Sequence, residues 1–206
     1  MTGIDALGLA LGAAFASGLN VYATVAVLGL LHRYDVVALP QQLAVLANPV
    51  VLGVAVFLYA VEFFADKIPY VDNVWDAVHT FIRPPAAAVL AWSAMGGVPE
   101  HWRMVAALVA GGIALTSHGA KASARIAANA TPEPFTNWAL SLGEDALVAF
   151  LTWMAVSHPL ITLVLVAILL IVSVYVIVKL YHAARRLWQW VGGAQGVPPA
   201  GAPAKG

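Results

Sequence analysis

The chain has 206 residues, of which 62% are hydrophobic and only 10% charged, with a formal net charge of zero. Soluble domains carry about 25% charged residues, so this much apolar surface exceeds what one core can hold and points to an integral membrane protein. The neutral balance excludes nucleic-acid binding and bulk electrostatic steering, and the lack of cysteine excludes disulfides, thiolate metal sites and cysteine nucleophiles.

The start, MTGIDALGLALGAAF, lacks a basic segment and carries Asp5, so it reads as a first helix and not as a cleaved signal peptide. Ala6 to Leu31 contains no charged residue. As a helix it would extend about 39 Å, beyond the roughly 30 Å hydrocarbon core. Within it, ASGLN (Ala16 to Asn20) is a candidate kink. HRYD (His32 to Asp35) closes it, and Pro40 and Pro49 mark the following loop. Val50 to Ala65 is a second span. Tyr70 to Met95 is a mixed segment broken by RPP (Arg83 to Pro85), which predicts a short or re-entrant third element. GGVPEHW (Gly96 to Trp102) is a turn. A helix follows over Met104 to Ala128, stopped by NATPEP, and Phe135 to Val156 and Leu160 to Val178 complete the set.

The expected fold is therefore all-α: a polytopic helical membrane domain over residues 1–191 with about six membrane elements, and a disordered Gly/Pro/Ala-rich tail over residues 192–206. Six crossings put both termini on one side. Lys67, Arg83, Lys121, Arg125, Lys179, Arg185 and Arg186 then fall toward that side, and Arg33 and Arg103 on the other. The positive-inside rule makes that side cytoplasmic, in a bacterial inner membrane. DKIPYVDNVW and NATPEPFTNW each place a proline six residues before a tryptophan, a weak internal echo of the kind transporters carry; chance similarity explains it equally well.

The charges are ordered. At 100° per residue, Asp72, Asp76, His79 and Arg83 share one narrow helix face, with Val71, Val74, Trp75, Val78 and Ile82 opposite. His118, Lys121, Arg125 and Asn129 make a second stripe, and Asn137, Ser141 and Glu144 a third, with Asp145 beside it. Ser17, Asn20 and Thr24 form a milder one, and Glu62 and Asp66 stack at i, i+4. In lipid such faces turn inward, because an ionised side chain at the bilayer centre costs about 2.5–3.5 kcal/mol on insertion scales. Lys67, Asp66 and Arg125, near helix ends, also suit simple solvated ion pairs.

Two of these segments, ADKIPYVDNVWDAVHTFIRPPAAA and SHGAKASARIAANATPEPFTNWALSLGED, together with SGLNVYATVAVLGLLHR, resemble the signature regions of a bacterial membrane-protein family catalogued only as a domain of unknown function. The resemblance covers Asp5 to Val156. It implies a multi-pass membrane fold and transfers no activity.

Three functions fit. The first is a small transporter or channel for an ion or small polar solute. Asp72, Asp76, His79 and Arg83 would form one wall, and His118, Lys121, Arg125, Asn137 and Glu144 the other; His79 and His118 could relay protons. The second is a membrane enzyme acting on a lipid or isoprenoid phosphate, with spaced aspartates holding a divalent ion. The third is a scaffold whose stripes fix helix register. No catalytic residue, metal or cofactor is assigned. The expected partners are the lipid bilayer, the solute or ion, and a second copy of the chain. Lys179, Arg185 and Arg186 read as lipid-headgroup anchors.

Overall fold

The computed structural model describes residues 2–68, 70–129 and 134–194, and these hold helices and no strand. Six α-helices follow one another: α1 (Gly3–Arg33), α2 (Pro49–Ala65), α3 (Val71–Ala94), α4 (Glu100–Asn129), α5 (Pro134–Ser157) and α6 (Pro159–Ala194), with a 3-10 segment (Gln41–Ala47) before α2. Local chemistry sets the boundaries. Thr2 and Asp5 form a capping box at the start of α1. The Asn48 side chain caps α2, where Pro49 occupies the first turn.

The path of α1 is the main departure from the sequence reading. Arg83 Nη1 donates to the Gly18 carbonyl at 3.1 Å, so these residues share a level in mid-bundle. From there α3 runs to Ala94, which lines a cavity with Thr2, Gly3 and Ala6. The first half of α1 therefore descends antiparallel to α3, from what we term the upper end. A straight α1 would carry Gly29 about 16 Å farther down. Instead Gly29 packs against Leu46 and Leu52, Gln42 packs against Gly96 at the end of α3, and Leu39 and Pro40 line the cavity that Thr2 and Ala94 share. Both halves of α1 thus run to the upper end. The turning point is Asn20, the one residue inside α1 with non-helical angles (φ −155°, ψ 102°). The predicted kink is there, and it makes α1 a re-entrant pair.

The short, Pro-broken or re-entrant third element expected at Arg83 to Pro85 is not found. α3 is one helix of 24 residues with Pro84 and Pro85 inside it. Prolines are tolerated in such helices where neighbouring helices compensate for the lost hydrogen bonds. Here α3 packs on α4, with Gly111 opposite the Pro84 carbonyl.

Four described helices, α1, α4, α5 and α6, are long and apolar enough to cross a membrane; the 3-10 segment and α2, bent by 66°, reach that standard as a pair. Six independent spans are not what the structure gives. α1 has the composition of a span but doubles back, and α3 misses the criterion of apolarity that the other four meet. α4 descends, α5 rises so that Ala155 meets Gly12, and α6 descends from Pro159, beside Gly8, past Ile177, beside Gly119. The described chain therefore starts at the upper end and finishes at the lower. α6 has 36 residues, about 54 Å, and continues through residues 192–194, where the sequence reading began a disordered tail; residues 195–206 lie outside the described set. So do Pro69 and Pro132 of the internal echo. Its tryptophans, Trp75 and Trp138, sit near the starts of the two rising helices, α3 and α5.

Candidate functional site

The site forms where α1 turns. Asn20 leaves the helix, and its Oδ1 accepts from the Ala23 amide at 2.9 Å, capping the second half. Thr24 donates back to the Asn20 carbonyl at 2.8 Å. Side chains of α3 and α4 donate to backbone carbonyls at the end of the first half. Ser117 Oγ donates to Phe15 O at 3.0 Å, Arg83 Nη1 to Gly18 O at 3.1 Å, and Lys121 Nζ to Leu19 O at 3.2 Å. Two cations thus sit at the negative end of a half-helix dipole. Broken backbone at membrane depth survives where it is buried in protein or lines a polar cavity.

The inward faces of α2, α3, α4 and α5 surround this tip. Glu62 is fully buried and bridges Arg83 (2.7 Å) and Lys121 (3.3 Å). Lys121 also pairs with Asp66 (3.0 Å) and Glu144 (3.6 Å). Arg125, fully buried, holds Asp66 (3.1 Å) and Glu144 (2.6 Å), with Asp72 at 3.9 Å, and donates to the Asp66 carbonyl at 2.7 Å. Below them Asn129 donates to Asp72 (3.4 Å) and Asn73 (3.1 Å) and receives a short hydrogen bond from Asn137. Lys67 donates to Ser141 at 3.3 Å and to the Phe63 carbonyl at 2.9 Å. Burial pushes the Lys67 ammonium below its ordinary value, against the pull of Asp145 and Asp66.

Two imidazoles close the upper part. A guanidinium can only donate, so the contact from Arg83 Nη1 makes His118 Nδ1 an acceptor. Its Nε2–H then points to the Asp76 carbonyl (3.0 Å) and the Thr80 hydroxyl (2.9 Å). His118 is thereby fixed as the neutral tautomer, with no nitrogen free for relay in this state. His79 donates from Nδ1 to the Trp75 carbonyl (2.7 Å), stacks on the Trp75 ring and meets the Tyr22 hydroxyl through Nε2 (3.0 Å).

The fourteen charged and polar residues that the sequence offers from α2, α3, α4 and α5 belong to this one cluster. The two expected walls do not face each other across open space; they touch, interleaved as ion pairs. Charge alone does not close the arrangement. Six carboxylates (Glu62, Asp66, Asp72, Asp76, Glu144, Asp145) meet three deeply buried cations (Arg83, Lys121, Arg125) and the half-buried Lys67. Glu62 Oε2, Asp66 Oδ1, Asp72 Oδ1, Asp145 Oδ2 and both oxygens of Asp76 are buried without a hydrogen-bond partner. Among the described residues, no group of three Asp, Glu, His or Cys side chains has the arrangement of a metal site.

The spacing missed Tyr22, Asn73, Trp75, Thr80 and Ser117. Thr80 and Ser117 were within reach, since each lies one helical turn from a stripe member (Asp76 and Lys121). Tyr22 carried no signal, because its place follows from the turn of α1.

The family model described as a domain of unknown function (DUF4126) matches residues 7–179. No curated protein and no solved structure matches the chain.

Proposed function

We propose that this chain, which belongs to the family of that domain of unknown function, is a small membrane transporter that moves an ion or small polar solute past the tip of α1. One observation carries the reading. A helix is broken in mid-bundle, and backbone carbonyls beside the break are held by buried Arg83 and Lys121 amid more carboxylates than cations. Discontinuous helices with charged groups at their broken ends build the midplane sites of secondary transporters. An uncompensated buried carboxylate costs several kcal/mol, so a cation or proton that balances the excess would bind well.

The positive-inside rule gives the orientation. Lys67, Lys179, Arg185 and Arg186 lie toward the lower end, which would face the cytoplasm; Arg33 and Arg103 lie toward the upper end. With α1 doubling back, the start of α1 would lie outside and the end of α6 inside, in place of the two cytoplasmic termini that six crossings imply.

Liposomes holding the purified protein and a pH-sensitive dye should show solute- or gradient-dependent flux. Asp76→Asn should lower that flux at least tenfold while the protein still elutes as a folded species. Wild-type rates in Asp76→Asn would remove Asp76 from the pathway. The direct pairing of the stripes favours a second reading, a scaffold whose charges fix helix register; no flux under any imposed gradient would select it.

A further inference from the structure

We propose that the ion exchanged at this site is a proton, that Asp76 carries it, and that Arg83 passes its arrival to the tip of α1. The proposal rests on the transport reading above and names the coupling ion.

Asp76 differs from the other buried carboxylates. Glu62 has Arg83 at 2.7 Å, Asp66 has Lys121 at 3.0 Å, and Glu144 has Arg125 at 2.6 Å. Asp72 accepts from Asn129, and Asp145 is only part-buried. Asp76 is only 4% exposed, yet neither of its oxygens accepts a hydrogen bond. Its nearest cationic nitrogen, Arg83 Nη1, stands at 3.4 Å, and His118 Nδ1 at 4.0 Å is turned toward Arg83. A buried carboxylate whose oxygens accept no hydrogen bond carries a desolvation cost that a bound proton removes.

A proton suits the position better than a metal ion. A metal ion bound to Asp76 would be a second positive centre beside the guanidinium, with no three-ligand set to hold it. A proton neutralises the oxygen and adds no such centre. The groups around Asp76 are Glu62 from α2, Asp72, His79 and Arg83 from α3, and His118 and Lys121 from α4, with Tyr22 of α1 behind His79. Of these, Arg83 answers to charge on Asp76. It is shared among Glu62, the Gly18 carbonyl, His118 Nδ1 and Asp76, and the first three hold it here. With Asp76 neutral, Nη1 stays on Gly18. When the proton leaves, the new charge draws Nη1 toward Asp76 and releases the Gly18 carbonyl, leaving Lys121 and Ser117 on the tip.

Dicyclohexylcarbodiimide, which attacks protonated carboxyl groups in apolar surroundings, tests the site on wild-type protein in detergent. Mass spectrometry should place the adduct on Asp76, with loss of labelling as pH rises. Labelling on Asp72 or Asp145 instead, an adduct independent of pH, or protection by sodium at constant pH would each overturn the proposal. The chain has no cysteine, so Ala23→Cys reports the tip alone: its reaction with a maleimide should speed up as pH rises, and a constant rate would overturn the link through Arg83. Labelling needs no flux. Asp76 modification without transport would discard the transport reading and keep the proton site; transport without Asp76 modification would do the reverse.

Discussion

The upper and lower halves of α3 and α4 present one continuous inward face with two chemistries. On α3 it runs Asp72, Asp76, His79, Arg83, then Ala87, Ala91 and Ala94; on α4 it runs Ala106, Ala110 and Ala114, then His118, Lys121 and Arg125. The change falls at the level where α1 turns. Above it, alanines and the glycines of α1 pack without a buried charge: Gly8 touches Pro159, and Gly12 touches Ala155 and Thr162. Below it, charge meets charge. The difference teaches where a path could run. Polar groups extend from Asn137 up to Arg83 and stop at a layer of small side chains, so passage to the upper end requires the tip of α1 to move.

Breaking the lower half should have the largest effect. Arg125→Leu takes one cation from Asp66, Asp72 and Glu144 and leaves Lys121 alone to pair with Asp66 and Glu144. Loss of one member of a buried pair typically costs about 3–5 kcal/mol, read as a large drop in thermal unfolding temperature in detergent. A change under about 1 kcal/mol would mean that water enters the lower half freely and that the ion pairs are solvated.

The upper half should respond to volume and not to charge. A Cβ on Gly18 would overlap Ser117 Oγ and the Ala114 carbonyl, so Gly18→Ala should cost about 1–3 kcal/mol by overpacking. Gly112 lies in α4, and a Cβ added there would meet nothing within 4 Å, so Gly112→Ala should be neutral or stabilise by up to about 1 kcal/mol through helix propensity. Equal effects at the two glycines, measured by the same unfolding assay, would show that the small-residue layer is not tightly packed.

The lower half was legible because helical period exposes a stripe: Asp72 to Arg83 and His118 to Asn129 each align at 100° per residue. Which stripes touch was not legible, since periodicity names a face and not its neighbour. The break at ASGLN was visible, but its direction was not. An apolar run of this length reads as a span; only the seating of Gly29 on Leu46 and Leu52 sends it back to the upper end. Pro84 and Pro85 misled for the complementary reason. Local propensity ends a helix there, whereas packing against Gly111 carries it through.

The smallest expected effect probes the boundary between the halves. Asn20 sits outside helical geometry and accepts from the Ala23 amide, as an N-cap does. Removing that acceptor by Asn20→Ala should cost about 1 kcal/mol, and Asn20→Gly only a few tenths. The sign carries the information. If α1 were a single straight helix, alanine would be the better residue at position 20, and Asn20→Ala would stabilise. In a re-entrant pair, alanine leaves an amide uncapped beside carbonyls that Arg83 and Lys121 hold in place. Stabilisation by Asn20→Ala, measured by thermal unfolding beside the Gly112→Ala control, would therefore mean that the two chemistries meet along a continuous helix and not at a turn.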